Sequence, residues 1–224
     1  MSTSGSTNFT LNARELITRA FRQAKIISAG ENPKASESDD ALKTLNLLLK
    51  TWATKERLWI REERAVTLIA ATDSYAMSDA RRVESVRRRT NGIDTPLNLL
   101  NRVDYDLLPN KAGSGIPVSA WFDPQRSTRR LYVWPVPTAA IAANTTLRVT
   151  VRRVIEDIDT LDDDFDMPQE WLEALSFSLA YRLGAEYGSD VLAYLKDTSE
   201  SLVKDLEAQD QDMESLFLQV DYHA

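Results

Sequence analysis

The segment TTLRVTVRRV, residues 145–154, decides the fold class because its side chains alternate in character. Apolar Leu147, Val149 and Val151 occupy every second position, and threonine or arginine fills the positions between them. Successive side chains of a β-strand point to opposite faces, so a period of two predicts a strand with one buried and one solvated face. This strand is expected inside a chain whose two ends read as helical.

The strand belongs to a block, residues 62–160, that differs from the sequence on either side. Six of the eight prolines lie here, and helical periodicity is absent from most of the block. Short strand-like runs replace it, and one segment reads as a helical turn that ends before Pro109. The strand-like runs are RAVTLIA (64–70), VSAWFD (118–123) and RRLYVWPVP (129–137), and the helical turn is RVDYDLLPN (102–110).

Two helices are expected before this block, because apolar residues recur at steps of three and four. The first is NARELITRAFRQAKIISAG, residues 12–30, with Asn12 as its N-cap and Gly30 as its stop signal. The second is SESDDALKTLNLLLKTWATKERLW, residues 36–59, capped by Ser36 or Ser38.

Two more helices are expected after the block. QEWLEALSFSLAYRLGAEYG, residues 169–188, has leucines at helical spacing, and a glycine break at Gly188 separates it from the last helix. That helix is expected from about Val191 past residue 210, with an apolar seam close to that of a coiled coil.

The fold class is therefore predicted as α+β. We expect an antiparallel-type helical bundle of about four helices, with a long C-terminal helix and an inserted, mainly antiparallel β module. The expected parts are residues 1–61 and 161–224 for the bundle, and residues 62–160 for the insertion.

The run LDDDFDMPQEW, residues 161–171, concentrates carboxylates and invites three interpretations. A calcium loop of the EF-hand type needs a glycine at its sixth position, which is missing, and a catalytic pair needs carboxylates on facing walls of a cleft. Helix entry is favoured over cation binding and catalysis. Asp166 is expected to cap the following helix or to start the turn before it, with Pro168 in the first helical turn.

Residue types needed for several kinds of chemistry are missing. Cysteine is absent, and the single histidine, His223, is the second-last residue. No glycine-rich phosphate loop and no G-x-S-x-G elbow occurs. We expect no catalytic residue, no cofactor and no metal, and therefore no enzyme; a cell-wall hydrolase that uses the acidic residues is the enzymatic alternative. No apolar run is long enough for a membrane span, and the polar N-terminus does not read as a secretion signal.

Charge divides unevenly along the chain, whose formal net charge is −7. Residues 81–153 hold 13 Lys and Arg against 5 Asp and Glu, whereas residues 154–224 hold 3 against 19. Such a pattern suits head-to-tail assembly of identical copies, although each face is equally compatible with simple solvation.

The arginines of the middle block define a candidate basic contact face. Protein contacts or solvated strand faces are favoured, because no helix-turn-helix or other nucleic-acid motif accompanies them. A DNA-binding packaging or regulatory protein is the alternative, with Trp121, Tyr132 and Trp134 near enough to suggest base stacking. The candidate residues are Arg87, Arg88, Arg89, Arg129, Arg130, Arg148 and Arg152.

Four stretches together resemble the head-to-tail adaptor (head-completion, or tail accessory) proteins of short-tailed bacteriophages. They occur in the order and spacing of that family and span residues 13–188. The stretches are ARELITRAFRQAKIISAGENPKASESDDALKTLNLLLKTWATKERLW, YDLLPNKAGSGIPVSAWFDPQ, RRLYVWPVP and DDFDMPQEWLEALSFSLAYRLGAEYG.

The resemblance implies a virion structural protein without an active site. Copies of the chain would form a ring, typically of twelve subunits, docked under the portal protein ring and leading into the tail tube or nozzle protein. Double-stranded DNA would pass through the lumen without sequence-specific recognition. The implied location is the head-tail junction of the virion, after assembly in the host cytoplasm.

The C-terminal apolar seam is the expected contact with the portal or with a neighbouring subunit. Its first part also has the option of packing on the protein's own helices. The candidate residues are Leu202, Leu206, Met213, Leu216, Phe217 and Val220.

Overall fold

The computed structural model describes residues 4–55 and 58–210 and divides into two units, each with its own hydrophobic core. The helical unit takes the chain up to Trp59 and again from Ile155 onwards, and the sheet unit is Ile60–Val154. In chain order the elements are α1 (Ala13–Gln23), α2 (Ala35–Trp52), a 3-10 turn (Leu58–Ile60), β1 (Arg61–Thr67), β2 (Ser74–Ala76), β3 (Ala80–Thr90), β4 (Ile93–Pro96), β5 (Asn98–Leu100), α3 (Arg102–Asp106), β6 (Ser119–Asp123), β7 (Arg130–Trp134), α4 (Ala139–Asn144), β8 (Thr145–Arg153), α5 (Trp171–Tyr187) and α6 (Leu192–Gln209).

The start of α1 follows the sequence pattern. Asn12 is its N-cap: the Asn12 side chain accepts a hydrogen bond from Glu15 N at 2.9 Å, and the Glu15 carboxylate accepts one from Asn12 N at 3.2 Å. This reciprocal capping box satisfies two of the backbone donors that a helix start leaves open. The helix ends at Gln23 and not at Gly30, because Lys25 already adopts a positive φ of 53°.

The predicted serine caps of α2 are wrong, and so is the cap option for Asp166, whose other option, the start of the turn before the helix, stays a prediction. The N-cap of α2 is Lys34, ahead of both Ser36 and Ser38, and its N–H donates to the Glu37 carboxylate at 2.8 Å. The N-cap of α5 is Glu170, whereas Asp166 accepts a hydrogen bond from Glu156 N at 3.3 Å.

The core of the helical unit contains side chains from α1, α2, α5 and α6. Trp52 of α2 and Trp171 of α5 meet edge to face, with ring centroids 5.7 Å apart. Gly184 allows α6 to approach α5 closely, because a Cβ there would lie 3.3 Å from Cδ1 of Leu195. These four helices, including the long C-terminal one, are the predicted bundle.

The sheet unit contains two four-stranded sheets with orders β1-β8-β3-β4 and β2-β7-β6-β5. Every strand pair is antiparallel except β5 with β6, so the prediction of a mainly antiparallel module and of an α+β fold is confirmed. The predicted runs form β1, β6, β7 and β8, and the predicted helical turn is α3. Both sheets contribute to one core, as Val149 from β8 and Val133 from β7 illustrate.

Candidate interaction surfaces

One face of the first sheet is covered by ion pairs. Leu147, Val149 and Val151 of β8 point into the core, so Arg148 and Arg152 lie on the opposite face. We call this the charged sheet face. Its charged residues are Arg61 and Glu63 from β1, Glu84, Arg87 and Arg89 from β3, Asp94 from β4, and Arg148 and Arg152 from β8.

The central pairs of this face connect four strands. Arg89 forms two hydrogen bonds to Asp94, Nε to Oδ1 at 2.6 Å and Nη2 to Oδ2 at 2.8 Å. Arg87 pairs with Asp94 at 3.4 Å and also with Glu63, whose other oxygen lies 3.6 Å from Arg148. The Arg89 guanidinium holds the pKa of Asp94 below its usual range, because it hydrogen-bonds the ionised carboxylate.

A second group of pairs lies at the other end of the face. Glu84 stands at an irregular position of β3, where the register with β8 shifts between Val83 and Ser85. Its carboxylate pairs with Arg61 at 2.6 Å and with Arg152. Positive and negative groups therefore alternate across the face. Such alternation is typical of a polar contact with another protein, whereas a surface that binds DNA phosphates is mainly positive.

The structure gathers four of the seven candidate arginines on this face and places three elsewhere. Arg88 donates to the carbonyl oxygen of Pro117 at 2.8 Å, and Arg129 donates to that of Ser78 at 2.8 Å. Arg130 belongs to the second sheet. The four that share the charged sheet face are Arg87, Arg89, Arg148 and Arg152.

Of the aromatic residues considered for base stacking, Trp121 and Tyr132 already stack on each other within the sheet unit. Trp121 stacks between Tyr105 and Tyr132, with centroid distances of 4.7 and 5.0 Å. The guanidinium of Arg102 lies 5.0 Å from the Trp121 ring. Trp134 donates from Nε1 to Asn110 O at 2.8 Å. Because Trp121 is 7% exposed, its ring offers no platform for a nucleic-acid base.

The C-terminal seam is only partly described. Leu202 and Leu206 of α6 are half-buried and pack against the core of the helical unit, next to fully buried Leu195. They therefore use part of their apolar surface inside their own chain. The other seam candidates, Met213, Leu216, Phe217 and Val220, lie outside the described residues.

The aspartate-rich run fastens the start of α1. Asp162 pairs with Arg14 at 3.0 Å, and the backbone N–H of Arg14 donates to Leu161 O at 2.8 Å. The Asp163 carboxylate accepts hydrogen bonds from Thr160 Oγ1 at 2.7 Å and Thr160 N at 2.8 Å, and these bonds lower the pKa of Asp163. The run is a connection built from turns that leads into α5 at Trp171, as the helix-entry interpretation predicts, although Pro168 lies ahead of the first helical turn.

Metal ligation by this run has no geometric support in residues 4–55 and 58–210, where no three Asp, Glu or His side chains converge as a metal site would require. Among the helices of that same part of the chain, none combines the length and the apolar composition needed to cross a bilayer.

Comparison with known proteins places the chain in a family. A family model described as SU10 adaptor protein matches residues 11–218, which include most of both units. The chain belongs to the SU10 adaptor protein family. This membership supports the head-tail adaptor resemblance, and it supports the expectation of a structural protein over an enzyme, because the family is one of structural adaptors.

Other comparisons add little to the SU10 adaptor assignment. The chain is similar to a chain of the neck of an empty GTA particle computed with C6 symmetry, at 11% identity and a TM-score of 0.30, over 80% of this chain and 82% of that chain. It is similar to a chain of the neck of a native GTA particle computed with C12 symmetry, at 12% identity and a TM-score of 0.28, over 79% and 82%. These identities and TM-scores are too low to support a statement about the function of this chain. No curated protein matches the chain.

Proposed function

We propose that this SU10 adaptor family member is a structural protein of the head-tail junction of a phage virion. Copies of the chain form a ring that docks under the portal and connects it to the tail tube or nozzle protein, with double-stranded DNA passing through the lumen. The observation that carries this proposal is the family match over residues 11–218. The short-tailed type of phage and a ring of twelve rest on the resemblance of the sequence.

The surfaces of the described chain fit a role in assembly. The charged sheet face displays both signs of charge, and its arginines are the residue type enriched in protein interfaces. Their pairing with Glu63, Glu84 and Asp94 lowers the positive potential that DNA phosphates would meet. This argues for contact with protein over recognition of DNA, and the DNA in the lumen then needs no sequence-specific contact.

We assign the portal contact to the C-terminal seam. Leu202 and Leu206 retain partial exposure on α6, and the apolar candidates that follow them along the chain lie at intervals of three or four residues or their sum. An apolar helical seam that enters a groove of a partner is a common mode of recognition. The seam candidates beyond α6 are Met213, Leu216, Phe217 and Val220.

Reconstitution with the portal tests the proposal. Purified protein is mixed with portal rings of the same phage, and the product is imaged by cryo-electron microscopy and weighed by native mass spectrometry. We expect added ring density on one face of the portal and a mass gain in whole multiples of 25.3 kDa. Portal rings of an unrelated phage are the matched control. A cognate portal that gains neither density nor mass contradicts the proposal.

A further inference from the structure

The charged sheet face carries more positive than negative groups. At its centre three arginines, Arg87, Arg89 and Arg148, share the two carboxylates of Glu63 and Asp94, and these arginines are not sealed from solvent. The side chains of Arg87, Arg89 and Arg148 are 35%, 36% and 30% exposed. Each guanidinium has five donors in a fixed fork, so a single shared carboxylate leaves donors for further acceptors.

The ion pairs at the centre of the face leave Arg148 only weakly paired. Its contact with Glu63 is long, at 3.6 Å, and its side chain is 30% exposed, whereas Nε of Arg87 and Nε of Arg148 are buried and lie out of reach of a partner. The Glu63 carboxylate is divided between these two arginines, and Asp94 is divided between Arg87 and Arg89. The face is therefore short of carboxylates, and a partner that supplies carboxylates would complete it.

The same chain contains a segment of opposite character. Residues 155–170 hold eight Asp and Glu and no Lys or Arg. Asp157 and Asp162 pair with lysine and arginine of the helical unit, and Asp163 holds its own turn. Four carboxylates remain without an ion pair among the described residues. They belong to Glu156, Asp159, Asp164 and Glu170, all of them exposed.

We propose that the charged sheet face of one copy binds the acidic segment, residues 155–170, of the next copy in the ring. The inference rests on the proposed function, because it names the contact between ring neighbours. Two different surfaces of one chain make a heterologous contact, and such contacts repeat from copy to copy until a ring closes. Aspartates of the segment supply the carboxylates that the arginines lack.

DNA is the competing occupant of the charged sheet face. Phosphates would meet the three carboxylates at short range, whereas carboxylates on a folded protein partner can be placed opposite the guanidinium groups alone. The formal net charge of −7 also opposes non-specific attraction of DNA. The observations therefore favour a second copy.

Cross-linking of a chain that has no native cysteine tests the contact directly. Ser85 is exposed in β3 beside the arginines, and Asp159 is exposed in the acidic segment. The S85C/D159C variant is assembled on cognate portal rings and treated with a short bis-maleimide. We expect a ladder of linked copies in denaturing gels. The S85C/S201C variant, whose second cysteine lies on exposed α6, is the matched control and is expected to stay monomeric.

Charge reversal tests the same contact by affinity. D159K/D164K is expected to weaken ring formation on the portal at least about tenfold, because lysines would face arginines. D197K/D205K makes the same change of net charge on α6 and is expected to leave ring formation unchanged. Adding S85E/T150E to D159K/D164K places carboxylates on the sheet face and is expected to restore ring formation.

The outcomes separate this contact from the proposed function. If wild-type protein forms a ring but S85C/D159C gives no ladder and D159K/D164K assembles normally, the contact is wrong and the adaptor role stands. If wild-type protein forms no ring on its portal, the adaptor role fails and the contact fails with it. Intact rings together with salt-sensitive DNA binding that S85E/T150E abolishes would assign the face to DNA and overturn the contact.

Discussion

Asn46 of α2 and Ile158 form two reciprocal hydrogen bonds: Nδ2 of Asn46 donates to Ile158 O at 2.8 Å, and Ile158 N donates to Oδ1 of Asn46 at 3.0 Å. A side-chain amide here satisfies both backbone groups of a residue 112 positions away. The side chain of Ile158 is buried in the helical core. This pair therefore fixes the returning chain to α2 at the point where the second half of the helical unit begins.

Replacing Asn46 by aspartate tests this pair. The N46D carboxylate accepts from Ile158 N but no longer donates to Ile158 O, which is left facing a negative charge. We expect a loss of about 1–3 kcal/mol in the free energy of unfolding, measured by urea denaturation followed by circular dichroism. N8D, in the exposed N-terminal arm, makes the same chemical change and is expected to be neutral. Equal stability of N46D and wild type would show that these hydrogen bonds do not hold the chain.

Acidification tests the Arg89–Asp94 pair. A carboxylate with a lowered pKa in the folded state stabilises the fold above its unfolded pKa of about 3.9, and that contribution disappears as the pH falls through the lower folded pKa. The difference in unfolding free energy between wild type and D94N is therefore expected to be constant near neutral pH and to shrink at the acidic end.

Thermal or urea unfolding between about pH 7 and pH 2 measures this difference. D123N is the control in the same unit, because Asp123 forms no ion pair within the described residues. A D94N difference that stays constant through the whole range would refute the role of the ion pair.

The aromatic stack predicts a specific effect at Tyr105. Y105L keeps an apolar side chain of similar reach but loses the stacked contact with Trp121 at 4.7 Å. We expect a loss of about 0.5–1.5 kcal/mol in stability and a change in the near-ultraviolet circular dichroism of tryptophan. Y105F retains the ring and is expected to behave as wild type, since the Tyr105 hydroxyl forms no hydrogen bond to residues that the structure describes. An unchanged spectrum of Y105L would mean that the stack does not order Trp121.

Shortening the chain after Asp210 tests the portal seam. Among the residues that the structure describes, Leu206 is the last side chain that packs against the core of the helical unit, so the shortened protein is expected to keep this core and to fold. Binding to cognate portal rings is expected to be lost, as measured by native mass spectrometry. If the shortened protein folds and still binds the portal fully, the portal contact lies elsewhere in the chain. A full-length variant separates apolar contact from chain length by placing serine at Met213, Leu216, Phe217 and Val220.

Local patterns in the sequence were sufficient to predict the helices and strands whose apolar residues recur with a single regular spacing. The alternation around Val149 predicts β8, and Asn12 ahead of a run with helical spacing predicts the N-cap of α1. β3 is harder to predict because its register shifts between Val83 and Ser85, which breaks the period of two. A shifted register places two buried valines, Val83 and Val86, three positions apart, a spacing that a simple strand pattern does not contain.

Contacts between residues that lie far apart in the sequence cannot be predicted from local patterns. The pairing of Glu63 with Arg87 depends on strand register across β8, which no local pattern in the sequence specifies. The start of α2 is mispredicted for a related reason. Several polar residues there can begin a helix, and the structure selects Lys34, whose N–H donates to the Glu37 carboxylate, over Ser36 and Ser38. Sequence thus predicts which residues are basic, but the fold decides which of them meet a carboxylate.

The division of the chain also sets the order in which its parts become able to fold on the ribosome. Ile60–Val154 is one continuous stretch, so the two sheets have all their strands once this stretch has left the exit tunnel. α1 and α2 emerge earlier, yet their packing partner α5 is translated only after the whole sheet unit. The nascent amphipathic helices therefore cannot complete their shared core, which includes Leu16 and Leu45, until α5 has been translated.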